Sequence, residues 1–135
     1  MSESAIAEIK RFLKFGVVGA VTAAIYFLIL AFQLESLRFN YTLSVSIAYV
    51  VAVVFHFIAN RFFTFGAEKA NVLIQLPKYL ILLFVNYLLT IFIARFVVNK
   101  IGLSAYYGVL ASVPVIMVIG YALSKFWIYK QVRSI

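Results

Sequence analysis

Four long apolar stretches run along the chain, at about 12–34, 41–63, 76–98 and 106–127, and short polar segments at 35–40, 64–75 and 99–105 separate them. Each stretch reaches the roughly 20 residues that a helix needs to cross the hydrocarbon core of a bilayer. Within lipid an open-ended segment satisfies its backbone polar groups only as a helix, so strands are not expected. The pattern predicts an all-α integral membrane protein, with residues 1–135 forming a single four-helix transmembrane domain.

Composition agrees with that reading. Hydrophobic residues make up 66% of the chain and charged residues 12%, whereas ordinary soluble domains are about half apolar and a quarter charged. The net charge of +8 would suggest nucleic acid on a soluble surface, but here the basic residues flank the apolar runs. Nucleic acid is therefore not an expected partner, and the lipid bilayer is. The segment 1–10 holds two acids and lacks a basic n-region, so it does not read as a signal peptide.

Lys10, Arg11 and Lys14 precede the first run, Arg61, Lys69 and Lys78 surround the segment after the second, and Lys125, Lys130 and Arg133 close the chain. The opposite side carries only Arg38, Arg95 and Lys100. The more basic side belongs in the cytoplasm, which predicts a multi-pass protein of the cytoplasmic (inner) membrane with both termini inside. Aromatic residues at the run ends, among them Phe12, Tyr41, Tyr79, Tyr106 and Trp127, fit an interfacial belt.

The two halves align without a gap at an offset of about 64. Lys14 falls on Lys78, Phe15 on Tyr79, Arg61 on Lys125, Phe62 on Phe126, Phe63 on Trp127 and Phe65 on Tyr129. The alignment predicts two tandem helical hairpins, a parallel internal repeat, each starting and ending inside. Parallel repeats tend to bind substrate at their interface, so the expectation falls on the bundle centre.

Candidate chemistry is sparse. Lys14, Arg61, Lys78 and Lys125 belong to the repeated pattern and lie at cytoplasmic helix ends. Gathered into one ring they would suit a phosphate, with Arg61 supplying a fork and the lysines point charges. Taken singly, each lysine is also explained by snorkelling to headgroups. Asn60 and Arg61 open the string Asn60-Arg61-Phe62-Phe63-Thr64-Phe65, in which an amide and a guanidinium would hold a phosphate or a sugar hydroxyl. His56 lies one helical turn, about 6 Å, deeper than Asn60. It reads either as a functional intramembrane group, on a polar track that a sugar would follow with Asn60 and Asn86, or as a neutral hydrogen-bonding one.

Thr22 and Asn86 match in the repeat, roughly 12 Å deeper than their lysines. They would line a polar track or make interhelical hydrogen bonds, which average below about 1 kcal/mol in membranes. Snorkelling accounts for Arg95. Gly16, Gly19, Ala20 and Ala23, like Gly120 with Ser124, form small-residue spacings that allow close helix approach within the monomer or in a homodimer. Pro77 is expected in the first turn of its helix, where the missing N–H costs nothing, and Pro114 inside its helix, where it should kink.

No carboxylate falls within any run and the chain has no cysteine. Neither a catalytic set, a metal site nor a cofactor is therefore expected, and the chain does not read as an enzyme. For the same reason a proton-coupled drug exporter, which exchanges protons at a membrane carboxylate, is disfavoured.

The opening Arg11-Phe12-Leu13-Lys14-Phe15-Gly16-Val17-Val18-Gly19, the string 60–65 and the closing Lys125-Phe126-Trp127-Ile128-Tyr129 resemble the GtrA-like family of small four-helix membrane proteins. The resemblance covers about 11–129, and its fairly specific element is the Asn-Arg-aromatic-aromatic-Thr-Phe string. It implies a role in cell-surface polysaccharide decoration, such as O-antigen or teichoic acid (cell wall) glycosylation. The implied activity is flipping, or binding, of a polyprenyl-phosphate-linked sugar (undecaprenyl phosphate being such a carrier), beside a membrane glycosyltransferase. It carries over to Lys14, Asn60, Arg61 and Lys125, whose roles here come from chemistry. The alternative is a non-transporting scaffold that recruits or stabilises the glycosyltransferase.

Overall fold

The computed structural model describes residues 2–130. Arg133, counted above with the basic residues that close the chain, lies outside them. Regular structure among the described residues is entirely helical: α1 (Glu3–Glu35), α2 (Tyr41–Ala59), α3 (Val72–Phe96) and α4 (Ala105–Leu123). After α2, α3 and α4 the helix widens into a single π turn, at Asn60–Thr64, Val97–Ile101 and Ser124–Ile128. With these turns included, four helices are long and apolar enough to cross a membrane. No more than 22% of the most apolar window of any of them is buried within the chain. Apolar surface on that scale is not left to water by a soluble protein, so lipid is the solvent of the outer faces.

Helix boundaries follow capping groups more closely than the apolar runs. Ser2 caps α1, its Oγ accepting the Ala5 N–H at 3.2 Å. Glu8 and Arg11 pair at 3.6 Å one turn further on. The first helix thus begins well before the apolar run. Asn40 caps α2 through the Leu43 N–H at 2.8 Å, and Asn71 caps α3 through the Leu73 N–H at 2.9 Å. The last cap corrects the expectation for Pro77. Because α3 starts at Val72, Pro77 stands inside the helix, and the Leu73 carbonyl lacks the N–H that an ordinary residue at 77 would supply. Pro114 lies inside α4 as expected.

The chain divides into two compact units, Met1–Gly66 and Ala67–Ile135. The first is the α1/α2 hairpin with its π turn. Phe15 and Val18 of α1 are buried with Ala48, Ala52 and Phe57 of α2 and with Phe65. Alanine on α2 leaves room for the neighbouring helix. The second unit is the α3/α4 hairpin, with Tyr79, Leu82, Ser112, Ser124, Ile128 and Tyr129 buried. Its tightest crossing is at Gly108, where a Cβ would come within 2.7 Å of the Ala94 Cα. By contrast, a Cβ on Gly19 would meet nothing within 4 Å. No close approach is made at Gly19 within the first hairpin, whereas Gly108 carries one in the second.

Candidate functional site

Each hairpin ends in a π turn that collects aromatic and cationic side chains. In the first hairpin the turn is closed by the Phe65 N–H donating to the Asn60 carbonyl at 2.9 Å. Such wide turns are uncommon and recur at functional sites. Asn60 is fully buried. Its Oδ1 accepts from Thr64 Oγ1 at 2.8 Å, which fixes the amide so that Nδ2 faces the His56 ring, 3.2 Å from Nε2 and 3.4 Å from Nδ1. Phe15 of α1 lies edge-on to both the His56 ring and the Phe65 ring, with centroids 6.0 and 6.2 Å apart. The result is a chain of side chains, Thr64–Asn60–His56, held from the α1 side by an aromatic wedge.

Cations sit on the aromatic residues that this turn presents. Arg61 Cζ lies 5.5 Å from the centre of the Phe62 ring. Lys14 reaches across from α1 to place Nζ 5.0 Å from the centre of Phe63. The second hairpin repeats the arrangement at corresponding positions. The Tyr129 N–H donates to the Ser124 carbonyl at 2.8 Å, and Lys125 Nζ lies 4.7 Å from the Phe126 ring centre. Lys78 of α3 lies 5.6 Å from the Trp127 ring centre and donates to the Trp127 carbonyl at 3.4 Å, 49 residues along the chain. The same spacing of 49 separates Lys14 from Phe63, as the offset of 64 between the halves entails.

A cation resting on an aromatic ring gains about 0.5–1 kcal/mol at an exposed position. A charge-assisted hydrogen bond to an ionised acceptor is worth about 1.5–3 kcal/mol. The rings therefore hold these cations less strongly than an ionised acceptor such as a phosphate would.

The candidate residues distribute unevenly. Lys14, His56, Asn60 and Arg61 come together at the π-turn end of the first hairpin, and Lys78 and Lys125 at that of the second. Thr22 and Asn86 lie further along α1 and α3. Thr22 Oγ1 donates to the Val18 carbonyl of its own helix at 2.6 Å. Asn86 is half-buried and its carbonyl accepts from Thr90 Oγ1 at 2.8 Å, while its Oδ1 has no hydrogen-bond partner.

Four lipid-facing helices, paired in two hairpins that end in π turns carrying cations on aromatic rings, define a small polytopic membrane protein. The profile of the family described as "GtrA/DPMS, transmembrane domain" matches residues 14–129. The chain belongs to this family, which sets it among membrane proteins of glycosyl and polyprenyl-linked sugar metabolism. The match begins at Lys14 and ends at Tyr129, so it takes in both π-turn ends. Neither a curated protein nor a solved structure matches the chain.

Proposed function

We propose that the chain binds a polyprenyl-phosphate-linked sugar and moves it across the cytoplasmic membrane for glycosylation of a surface polysaccharide. The observation that carries this reading is the convergence of Arg61 and Lys14 on adjacent rings, Phe62 and Phe63, of one π turn. There the phosphate would take the Arg61 fork and the Lys14 point charge, while the polyprenyl tail stays in lipid. Lys78 and Lys125 offer a second pair of the same design. Asn60 and His56 would act through Arg61, by keeping its turn in shape. Asn86, with its bare Oδ1, is the better candidate for a sugar hydroxyl than Thr22.

In this reading the protein is not an enzyme. The two hairpins are copies of one unit, both termini are cytoplasmic, and a membrane glycosyltransferase supplies the lipid. A homodimer would add enclosed surface to four spans that have little of their own.

One observation favours the scaffold alternative. The start of α1 extends beyond the apolar run and leaves Ile6 and Ile9 exposed, a surface on which a glycosyltransferase could rest.

Native mass spectrometry of the purified protein separates the two. It is offered polyprenyl-phosphate hexose in competition with polyprenyl phosphate and an anionic phospholipid. Selective retention of the sugar lipid is expected, weakened about tenfold or more in Arg61→Ala, the loss that goes with one charge-assisted contact. Retention no better than that of phospholipid would end the carrier reading in favour of the scaffold.

A further inference from the structure

The loop end of the first hairpin holds a second polar cluster, remote from the π turn. Gln33, in the last turns of α1, is buried. Its Nε2 donates to the Ile29 carbonyl at 3.2 Å and across the hairpin to the Ser44 carbonyl at 3.3 Å. Two carbonyls on the same side of the amide demand donors, so the amide has one admissible orientation and Oε1 points away with no hydrogen-bond partner. Ser44 has no exposed surface, and its Oγ is likewise without a partner. That is unusual for a helical hydroxyl in this chain. Thr22, Ser46, Thr90 and Ser112 each donate to a carbonyl three or four residues earlier.

A buried acceptor and a buried hydroxyl left open are costly in a protein interior, and a pair of them calls for an explanation. The hairpin architecture does not require them. At the offset of 64 the second hairpin has Val97 and Gly108 in their places. There the helices close directly, so tightly that a Cβ on Gly108 would come within 2.7 Å of the Ala94 Cα. The loop beside the first cluster is also held in an unusual conformation. Arg38 has φ of 55°, in the left-handed region, and the Phe39 N–H donates to the Gln33 carbonyl at 3.0 Å. Strain of this kind in a non-glycine residue persists where the surroundings fix it and concentrates at functional sites.

We infer that Gln33 and Ser44 form a hydroxyl-binding site that takes a hydroxyl of the carried sugar at the loop end of the first hairpin. The acceptor Oε1 receives the sugar O–H, and the Ser44 hydroxyl, able to donate and accept, completes the contact. The site rests on the carrier reading above. Sixteen residues of α2 and its turn, about 24 Å of helix, separate Ser44 from Asn60. The phosphate-holding end and the hydroxyl-holding end are therefore opposite ends of one hairpin. With the π turn cytoplasmic, the Gln33 site belongs to the outer leaflet and receives the sugar on arrival.

The test uses the full chain in vesicles, with outward movement of polyprenyl-phosphate hexose and of sugar-free polyprenyl phosphate followed side by side. Ser44→Ala is the clean variant, because Oγ makes no bond within the chain whose loss would loosen the fold. Gln33→Met is the second, and the melting temperature of each is recorded. Movement of the hexose lipid is expected to fall about tenfold in Ser44→Ala, the loss of one hydrogen bond, with melting unchanged and the sugar-free lipid unaffected. Wild-type rates for the hexose lipid in both variants would overturn the site. An equal fall for both lipids would also overturn it, since the hydroxyl bound would then be that of a resident water. Absence of hexose-lipid binding and movement in the wild-type protein would instead remove the carrier reading, and this site with it.

Discussion

Asn60 and Arg61 are neighbours in sequence with opposite surroundings. Asn60 is sealed inside, bonded to Thr64 and His56, while Arg61 is half-buried over Phe62. Substitution should separate them by readout. Asn60→Ala leaves the Thr64 hydroxyl and the His56 ring short of a buried partner, and such a loss costs about 1–3 kcal/mol. A lower melting temperature in detergent is expected, measured by circular dichroism, with lipid binding lost as a consequence. Arg61→Ala is expected to melt near the wild type and to lose only the lipid. Equal melting of Asn60→Ala and wild type would show that the Thr64–Asn60–His56 chain does not hold the turn. The string was legible in the sequence as a distinct helix end, but which of its side chains the fold buries was not. An α-helical period assigns faces by 3.6 residues per turn, and a π turn at 60–64 departs from that period.

At the scale of the helices, the apolar runs located the four membrane crossings because lipid demands long uninterrupted hydrophobic stretches. They did not locate the helix ends, which depend on small polar caps. Ser2 starts α1 and Asn71 starts α3 outside the runs, and the second of these leaves Pro77 inside its helix. Small-residue spacing was an uneven guide to packing, since Gly120 and Ser124 are buried but Gly16, Gly19, Ala20 and Ala23 are not. It marks where helices are able to approach, whereas the approach itself depends on the partner face. Gly19 faces open space and Gly108 faces the Ala94 backbone. Gly108→Ala should therefore force α3 and α4 apart and destabilise the protein by about 1–3 kcal/mol, as overpacking does. Gly19→Ala should be neutral or stabilise by up to about 1 kcal/mol, since alanine is the better helix former. Melting both variants in the same detergent checks the pair, and a greater loss from Gly19→Ala would reverse the assignment.

For the whole molecule, the apolar outer surface makes the bilayer part of the structure, and the direction of crossing decides what each hairpin end meets. The cation-bearing π turns face the cytoplasm only if the termini do. The sequence supports that direction through the excess of Lys and Arg at 10–14, 61–78 and 125–133 over Arg38, Arg95 and Lys100. The chain contains no cysteine, so a single introduced one is a clean reporter. Leu37→Cys in the α1–α2 loop and Leu103→Cys in the α3–α4 loop replace exposed residues, as does Lys69→Cys between the hairpins. In intact cells an impermeant maleimide is expected to label positions 37 and 103 at once, and position 69 only after the membrane is opened. Those labels would put the Arg61 and Lys125 turns on the cytoplasmic side, where the proposed membrane glycosyltransferase would release its product, and Gln33 with Ser44 on the outer side, where the sugar would be used. The reverse pattern would put the Arg61 turn at the outer leaflet and the Gln33 end in the cytoplasm. The phosphate site proposed at Arg61 would then have to receive its lipid from the outer leaflet, which the chemistry of a cytoplasmically made sugar carrier does not allow.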